Sequence, residues 1–245
     1  MPKNPNSKPV KRDEPMNGVM KFFLAGCFAE LYLLIVRRFY INGTAVQQIA
    51  WFDRYLFLLV GIGAALLVVG GVCAALWRQE KKKRLLALSL LGAGAFLALS
   101  AGLIRWNMST LTFFTVAVPV AMLLDILWGL YDRECALALT ILGAALMALW
   151  VCHRVGGSQF LGLYVKLAVA VCVLAAAVIA LLAKQGKLRK LLPASADLVP
   201  VYAACGLSAI AMAAALVSSA VAYYAMWVLA IVVFALAVYY TVKQL

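Results

Sequence analysis

Three charged residues lie inside long apolar runs, where chemistry would have to be done. Glu30 sits in the run from Phe22 to Val36, Asp125 in a run that also holds Pro119, and Lys166 a few residues into a third. A charge at the centre of a bilayer costs about 2.5–3.5 kcal/mol on insertion scales, so such groups face protein or water. A carboxylate there can hold a proton or a cation, or it can fix helix packing by pairing. Arg37 follows Glu30 by seven residues and shares its helix face, but about 10 Å away along the axis. Lys166 has a stem long enough to snorkel to the interface. The depths of Glu30 and Lys166 in their runs would also allow the two to pair.

Pro119, Met122 and Asp125 follow at i, i+3 and i+6 on one side of a helix. Pro119 has no N–H, so the carbonyl of Thr115 loses its donor and the helix kinks. A kink beside an acid, with Thr112 and Thr115 close by, can form a polar pocket. It is also how an ordinary membrane helix bends. The candidate intramembrane polar site is therefore Glu30, Asp125 and Lys166, with Pro119 as the kink.

Other reactive residue types do not converge. His153 is the single histidine, next to Cys152, and the six cysteines at 27, 73, 135, 152, 172 and 205 are widely spaced. Neither His-rich nor Cys-x-x-Cys spacing is present. The expectation is no metal and no cofactor, with the cysteines as small apolar residues. No nucleophile elbow, zinc-protease helix or Walker loop occurs, so the chain reads as a non-enzyme.

The elements that must position these residues follow from composition. Of the 245 residues 67% are hydrophobic and 13% charged, against about half and a quarter in soluble domains. A bilayer-crossing helix needs about 20 mostly apolar residues. Eight such stretches can be marked, at 19–38, 55–77, 85–104, 110–131, 135–153, 161–183, 198–218 and 222–242. The runs are apolar on every face and too long for barrel strands, so their backbone groups must pair within helices. The expected fold is all-α, an eight-helix polytopic membrane bundle. Residues 1–18 read as a disordered basic tail and 19–245 as one transmembrane domain. The stretch from Leu198 to Val242 carries no charge and is twice too long for one crossing, so it must turn near Ser218, Ser219 or Tyr223-Tyr224. Arg37 to Arg54 reads as the longest connection between spans.

Charge sets the orientation. With eight crossings and the N-terminus inside, 16 Lys and Arg lie on inner segments and five on outer ones. If the first run lay along the interface instead, the split would be 11 to 10 and the bias would vanish. The positive-inside rule therefore places both termini in the cytoplasm, in a plasma or inner membrane. The net charge of +13 then reflects topology and attraction to anionic inner-leaflet lipids, not a nucleic-acid surface.

Two further patterns concern architecture. Residues 78–89 align without gaps on 184–195, which suggests a weak parallel repeat of four spans and four. The alternative is that two cytoplasmic loops share a need for Lys and Arg. Glycines at 61, 63, 70, 71, 92 and 94 sit inside apolar runs, where small residues let helices approach closely. The leading functional expectation is a membrane subunit or scaffold that acts through helix contacts with a membrane protein or a second copy. The alternative is a small-solute transporter with Glu30 and Asp125 on its path.

Overall fold

The computed structural model describes residues 16–156, 161–184 and 198–244. Among them every regular element is a helix: α1 (Met16–Val36), α2 (Ala45–Ala50), α3 (Leu56–Leu76), α4 (Lys81–Trp106), α5 (Ser109–Leu130), α6 (Arg133–Val155), α7 (Leu161–Lys184), α8 (Val199–Ala215) and α9 (Ser219–Gln244). Two π turns, Arg37–Ile41 and Trp51–Tyr55, flank α2. Seven of the helical stretches are long and apolar enough to cross a membrane, and α8 is a shorter apolar helix. This is the helix set of a polytopic membrane protein. The tail expected to be disordered lies outside the described residues up to position 15, and α1 begins at Met16.

The chain divides into two compact units, residues 26–119 and residues 120–245 with the N-terminal segment up to Ala25. The divisions fall inside α1 and α5, so no polar linker marks them.

In residues 26–119, α3 and α4 form an antiparallel hairpin. Its buried stripe is Leu56, Gly63 and Gly70 on α3, and Ala87, Gly94 and Ala101 on α4. Each set repeats every seventh residue. A seven-residue repeat on a 3.6-residue helix keeps one stripe on the partner by left-handed supercoiling. Small residues are required there because the backbones nearly touch. A Cβ on Gly63 would lie 2.5 Å from the Ala98 amide nitrogen, and one on Gly94 2.6 Å from that of Leu67. At one end of the hairpin a second core gathers Leu33, Val36, Tyr40, Leu56, Ala101, Ile104 and Leu111.

The expected Arg37–Arg54 loop is largely helical instead. Thr44 and Gln47 form a capping box that starts α2, satisfying two orphan donors reciprocally. The Gln48 side-chain amide donates to the carbonyls of Ile41 and Gly43, each at 3.1 Å. Phe39 stacks on Trp51 with ring centroids 5.8 Å apart. These contacts fold a polar connection that hydropathy alone reads as irregular.

In residues 120–245, α6 and α8 each pack on the other and on α7 and α9. The buried residues again keep a heptad. On α6 they include Cys135, Ala138, Leu142, Ala145, Leu149 and Cys152, alternating three and four apart. On α7 they are Gly162, Val169, Ala176 and Ala183, every seventh. On α8 they include Val201, Cys205, Ser208, Met212 and Ala215. Within this unit, 44% of the α6 span is buried but only 17% of α7 and 11% of α9, so α6 is its central post. The α5 half in this unit is tied to α6 by Trp128 Nε1, which donates to Thr140 Oγ1 at 2.8 Å. The Tyr131 and Thr241 hydroxyls meet at 2.7 Å and join α5 to α9.

The uncharged stretch 198–242 turns back where expected. Helix α8 ends at Ala215 and α9 begins at Ser219. Neither Gly nor Pro makes the break; the thiol of Cys152 and the ring of His153 secure it, as described below.

Candidate functional site

Glu30 lies on α1 within residues 26–119 and is half-buried. Its Oε2 is shielded and has no hydrogen-bond partner. Asp125 lies on α5 within the other unit, also half-buried, and its Oδ2 is likewise shielded and unpartnered. A shielded carboxylate oxygen without a donor is an open acceptor, since burying a polar group unpaired is costly. Each can accept a proton or a hydrogen bond. Glu30 and Asp125 belong to separate units, and each is described within its own. Lys166, on the α7 span, is exposed, as snorkelling requires.

Pro119 lies within α5, six residues before Asp125. Thr115 Oγ1 donates to the Thr112 carbonyl at 3.0 Å. Thr115 therefore spends its hydroxyl on its own helix, and the pocket it was expected to line receives one hydroxyl fewer.

A second polar contact stands in the same unit as Glu30. The Tyr32 hydroxyl lies 3.5 Å from Ser100 Oγ, and Ser100 also donates to the Leu97 carbonyl at 3.2 Å. Ser100 is fully buried. The contact joins α1 to α4, and the edge-to-face pair Tyr32–Phe96, 6.4 Å between centroids, supports it. Ser208 is fully buried in α8 and its Oγ has no partner.

His153 and Cys152 have structural work that the sequence does not announce. Cys152 Sγ donates to the Ala215 carbonyl at 3.6 Å. That carbonyl ends α8, where the last turn leaves acceptors unpaired. His153 Nδ1 lies 3.0 Å from the Ser219 carbonyl oxygen. A carbonyl only accepts, so Nδ1 carries the hydrogen. The ring also rests against Tyr223, 5.2 Å between centroids, and Tyr223 meets Trp227 edge-on. Two adjacent residues of α6 thus hold both sides of the α8–α9 turn. No signal short of the fold could have paired positions so far apart in sequence.

Among the described residues no group of three or more His, Cys, Asp or Glu could hold a metal ion. The missed feature is the folded cap 37–55, whose arginines and aromatic rings hydropathy had assigned to a connection. The chain matches no protein-family model, no curated protein and no solved structure.

Proposed function

We propose that this chain is a non-enzymatic membrane subunit that crosses the bilayer eight times, with both termini in the cytoplasm, and works by docking a second membrane protein on its helices. The observation that carries this reading is a second set of small residues on the α3–α4 hairpin. Gly63, Gly70 and Gly94 are used up in the hairpin itself. Gly61 and Gly92 are not: both are exposed, and a Cβ on either would meet nothing within 4 Å. Ala64, Ala65 and Ala93 beside them are exposed too. Glycine inside a helix is about 1 kcal/mol less favourable than alanine, and nothing within this unit requires it at 61 or 92. Close approach of another helix would.

The eight-crossing topology is supported by the burial of α8. Packed on α6, α7 and α9, its 17 residues reach about 26 Å at 1.5 Å per residue, the short end of a crossing. The parallel repeat gains support from packing. Most of the second basic loop lies outside the described residues, but the offset that aligns the two loops also places Leu56, Gly63 and Gly70 of α3 on Gly162, Val169 and Ala176 of α7. Both trios are buried stripes.

The test is affinity capture of the full chain in mild detergent, with Gly61→Leu/Gly92→Leu as the variant. A stoichiometric membrane partner held by the parent chain and lost from the variant, with thermal stability unchanged, supports the reading. Equal capture by both overturns it.

A second reading is a proton- or cation-coupled transporter using Glu30 and Asp125. The shielded, unpartnered oxygen on each supports it. Proteoliposomes loaded with a pH-sensitive dye decide: flux lost in Glu30→Gln and Asp125→Asn favours transport, and absence of flux in the parent chain rejects proton coupling.

A further inference from the structure

The cap at residues 37–55 carries side chains unlike those at the other end of its hairpin. The two π turns hold Arg37, Arg38 and Arg54, and the C-terminal turn of α4 holds Arg105. The far end, between α3 and α4, carries Lys82 and Lys83 beside Arg78 and Arg84. At the cap every basic residue is an arginine. Arginine presents a planar fork matched to phosphate and carboxylate oxygens, whereas lysine is a point charge.

Among the described residues, no carboxylate comes within 4.0 Å of any of the four. Arg37, Arg38 and Arg54 are exposed. The Arg105 guanidinium instead lies over two rings, 5.1 Å from the Phe52 centroid and 5.5 Å from that of Phe57. Both are within cation–π range, and a guanidinium on a ring face keeps its N–H groups free in its own plane. The frame beneath these groups is fixed by the Phe39–Trp51 stack, with ring planes 3° apart, and by the capping of α2. The backbone that carries these groups is therefore fixed; Arg37 is attracted to the Glu30 carboxylate, and Asp53 is the neighbour of Arg54 in the second π turn. Arg37, Arg38 and Arg54 sit on π turns, a helix irregularity that recurs at functional sites.

Exposed apolar side chains share the cap with the charge: α2 packs on both π turns, and Phe57 lies under Arg105. Val46 and Ile49, three apart on α2, are 77% and 63% exposed, and Phe57 is 66% exposed. A soluble anion would engage the arginines and leave that surface bare. An amphiphile covers both.

We propose that this cap binds an anionic phospholipid, with Arg37, Arg38 and Arg54 on the headgroup phosphate and the acyl region against Val46, Ile49 and Phe57. Arg105, stacked on its two rings, closes the site from the α4 side. The proposal is independent of the docking role of Gly61 and Gly92 and of which leaflet the cap meets.

Native mass spectrometry of the full chain tests it, with phosphatidylglycerol or phosphatidylcholine added at equal concentration to the detergent. The parent chain is expected to retain phosphatidylglycerol in preference. Arg37→Gln/Arg38→Gln/Arg54→Gln is expected to lose roughly tenfold in retention, while Lys82→Gln/Lys83→Gln at the opposite end, where the lysines attract anionic lipid only as point charges, loses clearly less. Where the Gln variant does not fold, Arg→Lys at the same three positions is the readout; it keeps the charge, loses the fork, and should retain lipid at an intermediate level. Equal retention of the two lipids, or equal loss in the lysine variant, overturns the proposal. Displacement of the lipid by millimolar inorganic phosphate also overturns it, because the site would then be one for a free anion.

Discussion

His153 Nδ1 donates to the Ser219 carbonyl at 3.0 Å, so the end of α6 is fastened to the first turn of α9. Next to it Cys152 donates to the Ala215 carbonyl at the end of α8. His153→Leu removes a bond of about 1 kcal/mol and leaves its acceptor to solvent. The expected result is a melting temperature lower by a few degrees and faster amide exchange confined to residues 216–222. Unchanged exchange there would show that the turn does not need the ring.

The α3–α4 stripe predicts a contrast between neighbouring glycines. Gly63→Leu places side-chain atoms where the Ala98 backbone already lies. Overpacking of this kind costs typically about 1–3 kcal/mol, and here the obstacle is main chain. Gly61→Leu meets open space and gains helix propensity. Thermal melting in detergent should drop for the first and hold or rise for the second.

The cysteines divide by packing. Cys27 and Cys172 are exposed, whereas Cys135, Cys152 and Cys205 are buried. In detergent, N-ethylmaleimide should label Cys27 and Cys172 first and reach the buried three only after denaturation. Peptide mass mapping reads the order, and early labelling of Cys205 would contradict the α8 packing.

Pro119 leaves the Thr115 carbonyl without its helical donor. Pro119→Ala restores that bond and should raise the melting temperature, since proline within a helix is about 3 kcal/mol worse than alanine. Under the subunit reading partner capture is unaffected. Under the transport reading flux would fall as the bend is lost.

Hydropathy made the helices legible because lipid demands long uninterrupted apolar runs. Seven spans and the position of the last turn follow from that demand alone. Which face of each helix is buried was not legible in the same way. A span that is apolar all round shows no amphipathic stripe, and only small residues such as Gly63, Gly70 and Gly162 hint at it. The heptad of Cys135, Ala138, Leu142, Ala145, Leu149 and Cys152 is plain once the neighbours of α6 are known. The cap at 37–55 escaped notice for the opposite reason. Its arginines and amides lower the hydropathy, while its order rests on contacts such as Phe39 with Trp51 that a window average does not see. Glu30 and Asp125 stood out as charges in lipid, and the structure gives each a shielded oxygen without placing both in one unit.

Eight crossings require an even number of passages, and the two chain ends report on that directly. Protease sites added at the N- and C-termini can be probed in sealed right-side-out vesicles and in inverted ones. The account predicts that both sites resist cleavage in the first and are both cut in the second. One end cut and the other protected in the same vesicles would mean an odd number of crossings and would contradict the topology from which the functional reading starts.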